Sequence, residues 1–390
     1  MSMVAFSLIP FVVAAGAIVN GLIGRRWFSR QLAVATASAT MGVAFALSVW
    51  SLASITVFSS GTSVRDVTLG DWIPSIPLQT STGIEMFSVK WTLRLDPLSA
   101  VMAVLVSGVG LLVHLYAAAD MRDEPRGGYA RFFGCLSLSC ACMLIVVLSG
   151  NFLVLLAGWQ GTALCSFLLI GFWFDRTTVP NGAIEAFIVN WLGDWGLLIA
   201  IFLTYFTLGT LDFREVEASV TSMPVEVGTF GAISGICLGL SVAAAAKGAQ
   251  VPLHVWLPGV LEGRAPVSAL VQTATMLLAG VYLIVRCAPL FERAPVVLTI
   301  VTLLGIVTAL LAGSLALTHT VVSGVFTPAR RLLRFDAGAL NACVNAFGWT
   351  VKIAAWLAYM FEKHVVDRVV DSIVEAVAWA HRKLVGVKFF

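Results

Sequence analysis

Charge is what this sequence has least of: acidic and basic side chains together make up 12% of its 390 residues, against about 25% in soluble domains. A water-soluble fold of this length could not cover its surface with so few. No nucleotide-binding glycine loop is present, and no nucleophile sits beside a base at a recognisable spacing. The seven cysteines, Cys135, Cys140, Cys142, Cys165, Cys237, Cys287 and Cys343, lie in apolar segments without paired metal-ligand spacing. Cys140 and Cys142, two apart on a helix, face different ways. Their plain reading is as small packing residues, and neither zinc nor an iron-sulfur cluster is expected. No catalytic residue, metal or cofactor is therefore assigned, and any redox step falls to partner subunits. The net charge of +3 is mild, and the basic residues lack the interleaved aromatics of a nucleic-acid surface, so nucleic acid is excluded as a partner.

What the sequence has is hydrophobicity, 59% of its residues, arranged in runs near twenty residues long. Each is long enough to cross about 30 Å of hydrocarbon as a helix. The alternating segments of a β-barrel are missing. The fold class expected is all-α, a polytopic transmembrane helix bundle of nine or ten spans with a C-terminal amphipathic helix. Spans fall at roughly 3 to 24, 32 to 57, 95 to 119, 131 to 149, 151 to 173, 184 to 208, 229 to 257, 266 to 288 and 296 to 318. The first has no basic segment before it and no small-residue cleavage site, so it reads as a retained span. Arg25, Arg26, Arg30, Arg122, Arg126, Arg131, Arg176, Arg264, Arg330, Arg331 and Arg334 fall on one side, and Arg65, Lys90, Arg94, Arg214, Arg286 and Arg293 on the other. The positive-inside rule then puts the N-terminus outside and the residue-25 loop inside.

The seventh span should be broken. Lys247 and Gly248 lie inside it and Pro252 and Pro258 follow; each proline removes an amide donor and clashes with the preceding turn. A lysine at a helix centre costs about 2.5–3.5 kcal/mol on insertion scales, so it must be paired or hydrated. Lys247 is read as a protonatable relay site, or else as a chain that snorkels to the interface. Asp194 in the sixth span is the candidate acidic partner. His114 and His254 can pass protons near neutral pH, or simply bond to backbone. Gln160 and Gln272 can line a wet path, or make plain interhelical hydrogen bonds, but have no proton to exchange.

Residues 1–318 are expected to form the bundle and 319–390 a tail. The tail holds a further apolar stretch, Ala337 to Phe361, that either crosses or packs along the bundle. After it Val366, Val369, Val370, Ile373, Val374, Val377 and Leu384 form one stripe of an amphipathic helix suited to a membrane or partner surface.

Several stretches carry a resemblance: Leu95-Asp-Pro-Leu-Ser-Ala, Gly110-Leu-Leu-Val-His-Leu-Tyr, Tyr129-Ala-Arg-Phe-Phe, Gly158-Trp-Gln-Gly-Thr-Ala-Leu-Cys-Ser-Phe-Leu-Leu-Ile-Gly-Phe-Trp, Ala186-Phe-Ile-Val-Asn-Trp-Leu-Gly-Asp, Lys247-Gly-Ala-Gln-Val-Pro-Leu-His-Val-Trp-Leu-Pro and Pro266-Val-Ser-Ala-Leu-Val-Gln-Thr-Ala-Thr-Met. In this order the chain resembles the NuoL-type antiporter-like membrane subunits of respiratory complex I, over about residues 1 to 318. The resemblance implies a non-catalytic, proton-translocating subunit of a redox-driven NADH:quinone oxidoreductase, set among other membrane subunits. Redox subunits carrying flavin or iron-sulfur clusters would belong to the same assembly, in a bacterial inner membrane or a mitochondrial one. Lys247 and Asp194 match the family pattern. Gln160 stands for its glutamate, Gln272 for its histidine, Trp191 for its arginine and Gly259 for its aspartate. The second, inverted set of helices does not follow the ninth span, and the tail, with Phe361-Glu-Lys-His-Val-Val-Asp, is similar to the family's lateral helix. Three functions stay open: a proton-translocating subunit with an incomplete path centred on Lys247, a non-pumping scaffold that braces neighbours, or the membrane partner of an inorganic-carbon uptake or hydrogenase complex.

Overall fold

The structure, a computed structural model, describes residues 6–56, 64–80, 83–122, 126–173, 179–257, 265–270 and 276–332. Gln272, Pro258, Gly259, the apolar stretch 337–361 and the amphipathic segment 362–390 lie outside them. The chain divides into two units, one of Met1–Ala249 and Trp256–Thr299, the other of Gln250–Val255 and Ile300–Phe390.

The first unit holds helix α1 (Leu8–Ile18), which continues through a wider turn over Val19–Gly24, and α2 (Arg30–Thr56). A hairpin of β1 (Arg65–Thr80) and β2 (Gly83–Leu95) follows. Then come α3 (Pro97–Asp120), α4 (Arg126–Leu148), α5 (Phe152–Ile170), α6 (Val179–Leu208), the short α7 (Phe213–Thr221) and α8 (Ala232–Lys247). Three more helices complete it: α9 (Ala265–Leu270), α10 (Met276–Arg286) and α11 (Ala288–Arg293). α12 (Pro295–Leu332) begins here and runs on into the second unit, where Val251 N donates to Thr308 Oγ1 at 3.1 Å.

Among the described residues each of the nine apolar runs carries helix. Six of these helices are long and apolar enough to cross a membrane, and the segments Leu8–Gly24, Ala232–Lys247 and Leu277–Arg286 are shorter apolar helices. The chain is an integral membrane protein. The seventh run stops at Lys247, with Gly248 as its cap; Ala249 takes the left-handed backbone, and turns occupy residues 251–255.

The hairpin was not expected. Its strands pair antiparallel from Arg65 opposite Leu95 to Thr80 opposite Gly83, with register shifts between Thr68 and Ile76. Pro74 and Pro77 sit in β1, where a proline is tolerated because this is an edge strand with irregular pairing.

At the hairpin end of the bundle, main-chain bonds join three segments. Gly150 N donates to Thr92 O at 2.9 Å, Phe152 N to Leu211 O at 3.1 Å, and Phe213 N to Gly150 O at 3.1 Å. Helix starts on this side are capped by acceptors that satisfy their orphan amides. Asn151 Oδ1 accepts from Leu153 N and Val154 N, Asp96 Oδ1 from Ser99 N, and Asp212 Oδ1 from Arg214 N. Glu226 does the same for α8, accepting from the amides of Gly231, Ile233 and Ser234 and from the Ser234 hydroxyl. Burial pushes the Glu226 carboxyl up, but these donors outweigh it and leave it below the usual carboxylate range.

A buried ion pair ties the start of α3 to α10. Asp96, which caps α3, pairs with Arg286, whose Nε donates to the Tyr282 hydroxyl at 2.8 Å. That hydroxyl in turn donates to Val147 O at 3.0 Å. Burial raises the Asp96 carboxyl, yet the Arg286 hydrogen bond and charge, with the Ser99 bonds, hold it below its ordinary value.

Helices α6 and α8 approach closely. A methyl at Gly239 would lie 2.6 Å from Gly196 O, and one at Gly196 would lie 2.8 Å from Gly239 O, so only glycine fits at either crossing point.

Candidate functional site

Lys247 ends α8 after a run of small residues, Ala243 to Ala246, that lets its backbone pack against α6 and α10 while its side chain reaches across to α5. Its side chain is 0% exposed. A helical side chain leans toward its own N-terminus, which carries the ammonium back into the bundle. There it donates to the Trp159 carbonyl oxygen at 2.7 Å and to Thr162 Oγ1 at 3.0 Å. The Trp159 ring lies 4.6 Å from Nζ, a cation-π contact. An ammonium has three donors; one carbonyl, one hydroxyl and an indole face account for them without a directly bonded anion.

The anion is one step further. Asp194 on α6 is 4% exposed and accepts the Trp159 indole N–H at 2.7 Å. Trp159 thus bridges the two charges, with its carbonyl on the lysine and its ring nitrogen on the aspartate. Thr162 closes the loop by donating to Trp159 O at 2.7 Å. The arrangement can hold a proton at Nζ in a dry setting, with a hydroxyl in contact and a carboxylate reached through Trp159.

The other residues singled out in the sequence lie elsewhere. His114 is fully buried; its Nδ1 donates to Gly110 O at 2.7 Å and its Nε2 meets Ser137 Oγ at 3.0 Å. A carbonyl only accepts, so the proton is on Nδ1 and Nε2 is free to accept from the serine, which makes His114 a satisfied histidine between α3 and α4. His254 is half-buried in the turns of the second unit, as is Gly248 at the helix cap in the first, and Pro252 is exposed. Gln160 is exposed on α5. One residue on from Trp159, it points about 100° away around the helix, and Trp191 is exposed on α6.

Sequence reasoning missed Trp159 and Thr162. Their signal was present as spacing: three apart on one helix, they share a face. What could not be read was that this face meets a lysine 88 residues away.

Two family models match the chain. One, described as NADH-Ubiquinone oxidoreductase (complex I), chain 5 N-terminus, takes residues 82–133, and the other, NADH:quinone oxidoreductase/Mrp antiporter, TM, takes residues 149–324. Together they take in more than half of the chain. NADH-ubiquinone oxidoreductase chain 5 of Triticum aestivum is 38% identical over 314 residues, 79% of this chain and 44% of that protein. NADH-quinone oxidoreductase subunit L of Mycobacterium tuberculosis is 42% identical over 239 residues, 61% of this chain and 35% of that one. Among solved structures, a chain of the Mrp complex from Dietzia sp. DQ12-45-1b matches with a TM-score of 0.62 and 27% identity, covering 80% of this chain and 31% of that chain. The chain spans less than half the length of these curated relatives. By its sequence and by the helices it folds into, it belongs to the antiporter-like membrane subunits shared by NADH:quinone oxidoreductase and the Mrp antiporter.

Proposed function

We propose that the chain is a membrane-arm subunit of a redox-driven, proton-translocating assembly, and that Lys247 is its protonatable centre. The observation that carries this reading is the Lys247 ammonium, wholly buried and held by a carbonyl and a hydroxyl, with its countercharge Asp194 reached through Trp159. A permanent structural cation would gain more from a direct carboxylate bond. An ammonium held by neutral acceptors can lose its proton and leave no stranded anion in contact with it. The relatives' names add that such chains serve NADH oxidation by quinone; the flavin and iron-sulfur subunits of that chemistry would be partners of this one. The distribution of arginines supports an orientation with the residue-25 loop inside.

A second reading, a scaffold that moves no protons, is favoured by Gln160. Its amide sits near the middle of α5 on an exposed face and carries no charge to exchange. An amide there would face hydrocarbon unless a neighbouring subunit covers it.

Lys247→Met in the intact complex, reconstituted into liposomes, separates the two. The expected result is normal assembly with proton transport reduced at least tenfold. Assembly with parental transport would end the relay reading and leave the scaffold.

A further inference from the structure

Between α5 and α6, one turn beyond the site, lies a small space of about 10 Å3 lined by Ala163, Ser166, Phe167, Ile170, Ala186, Phe187 and Asn190. Its walls are apolar except for two groups. Ser166 is 1% and Asn190 2% exposed. Among the described residues, neither Ser166 Oγ nor Asn190 Oδ1 has a hydrogen-bond partner. The Asn190 amide nitrogen is used, donating to Ala186 O at 2.7 Å, so its orientation is fixed and its oxygen is the free end. Two unmet, buried polar atoms on residues that line one space are costly. About 10–15 Å3 is the room one water needs, along with at least two polar partners. The Phe167 and Phe187 rings, 5.3 Å apart, stand beside the space on the exposed side of the helix pair.

The position of this space matters. Ser166 follows Thr162 by four residues on α5, and Asn190 precedes Asp194 by four on α6, so each is the next residue on the same face as a member of the Lys247 cluster. α5 starts at the hairpin end and α6 finishes there; both steps therefore lead away from the hairpin, toward the end where α5 finishes and α6 starts.

We propose that a single water molecule binds between Ser166 and Asn190 and serves as a proton station one helical turn from Thr162 and Asp194, on the side of the bundle opposite the hairpin. The inference rests on the relay reading of Lys247. Asn190 Oδ1 accepts one hydrogen of the water, and the Ser166 hydroxyl donates to it or accepts from it. A proton arriving on the water forms one O–H bond as another breaks toward Asp194, one turn along α6, whose carboxylate takes the proton and becomes neutral. The water regains its hydrogens, and neither Ser166 nor Asn190 changes charge. Ser166 and Asn190 are positioning residues.

The test uses the complete complex. Cryo-electron microscopy at a resolution that shows ordered water should reveal density within hydrogen-bond distance of both Ser166 Oγ and Asn190 Oδ1, lost in Asn190→Leu. Proton uptake by liposomes should fall at least fivefold in Asn190→Leu and fall less in Ser166→Ala. Should Asn190→Leu not assemble, Ser166→Ala and the density of the parent decide. An empty space in the parent overturns the proposal. So do parental transport rates in Asn190→Leu and Ser166→Ala when Lys247→Met is inactive; that pattern leaves the Lys247 reading intact. If Lys247→Met itself transports normally, it is the function reading that fails.

Discussion

The Lys247 ammonium donates to the Trp159 carbonyl at 2.7 Å, a bond between the last residue of α8 and the middle of α5. It means that the charged group of one helix is satisfied by the main chain of another. No substitution of the tryptophan side chain removes that acceptor, whereas the link from Trp159 to Asp194 depends wholly on the indole nitrogen.

Trp159→Phe therefore isolates the second link. The ring face and the carbonyl remain for Lys247, but Asp194 loses its donor and is left buried. A buried acceptor stripped of its partner costs about 1–3 kcal/mol, more when charged. Thermal unfolding of the purified protein in detergent should show a lower melting temperature than the parent, and Asp194→Asn in the Trp159→Phe background should recover part of it. Equal melting temperatures for parent and Trp159→Phe would show that the indole bond carries nothing.

The Asp96–Arg286 pair makes a prediction about acid. A carboxyl held below its ordinary value in the folded chain contributes stability that is present above the unfolded value, about pH 4, and is lost as pH falls through the folded one. Glu226 acts in the same sense. The melting temperature should be level from pH 7 to 5 and drop below about pH 4. Asp96→Ala leaves the Arg286 guanidinium buried without its partner and should cost about 3–5 kcal/mol at pH 7. Its melting temperature should also fall less steeply with acid than the parent's.

The crossing of α6 and α8 can be tested by bulk. Gly239→Val places carbon atoms where Gly196 O now lies, so the helices must separate; overpacking of this kind costs about 1–3 kcal/mol. Because Lys247 rides on α8 and Asp194 on α6, proton transport should fall along with stability. Gly235→Val on the same helix, where a methyl would meet only the Leu203 side chain at 3.5 Å, should do much less.

Much of the architecture was legible because hydrocarbon thickness dictates run length: the helices α2 to α6 sit where apolar runs reach about twenty residues. The break after Lys247 followed from Gly248 and Pro252. The hairpin was hidden because Pro74 and Pro77 argue against a central strand, and that β1 is an edge strand with irregular pairing is not readable from local sequence. Phe213–Thr221 was hidden because it is too short for a span; its apolar residues Phe213, Val216 and Val220 face the bundle as those of an amphipathic surface helix do. At the site, depth in the membrane was readable and facing was not. Lys247 and Gln160 both read as mid-membrane polar residues, yet one is enclosed and the other exposed, because which side of a helix meets a neighbour is fixed by contacts far apart in sequence.

The caps at Asp96, Asn151, Asp212 and Glu226, with the main-chain bonds of Gly150, Phe152 and Phe213, give the bundle one end that is stitched together. α8 leaves that end and carries Lys247 about 24 Å away at 1.5 Å per residue, stopping where Gly248 breaks the helix. The lysine therefore stands at the point of α8 farthest from the anchored root, and the close crossing with α6 at Gly239 lies between the two.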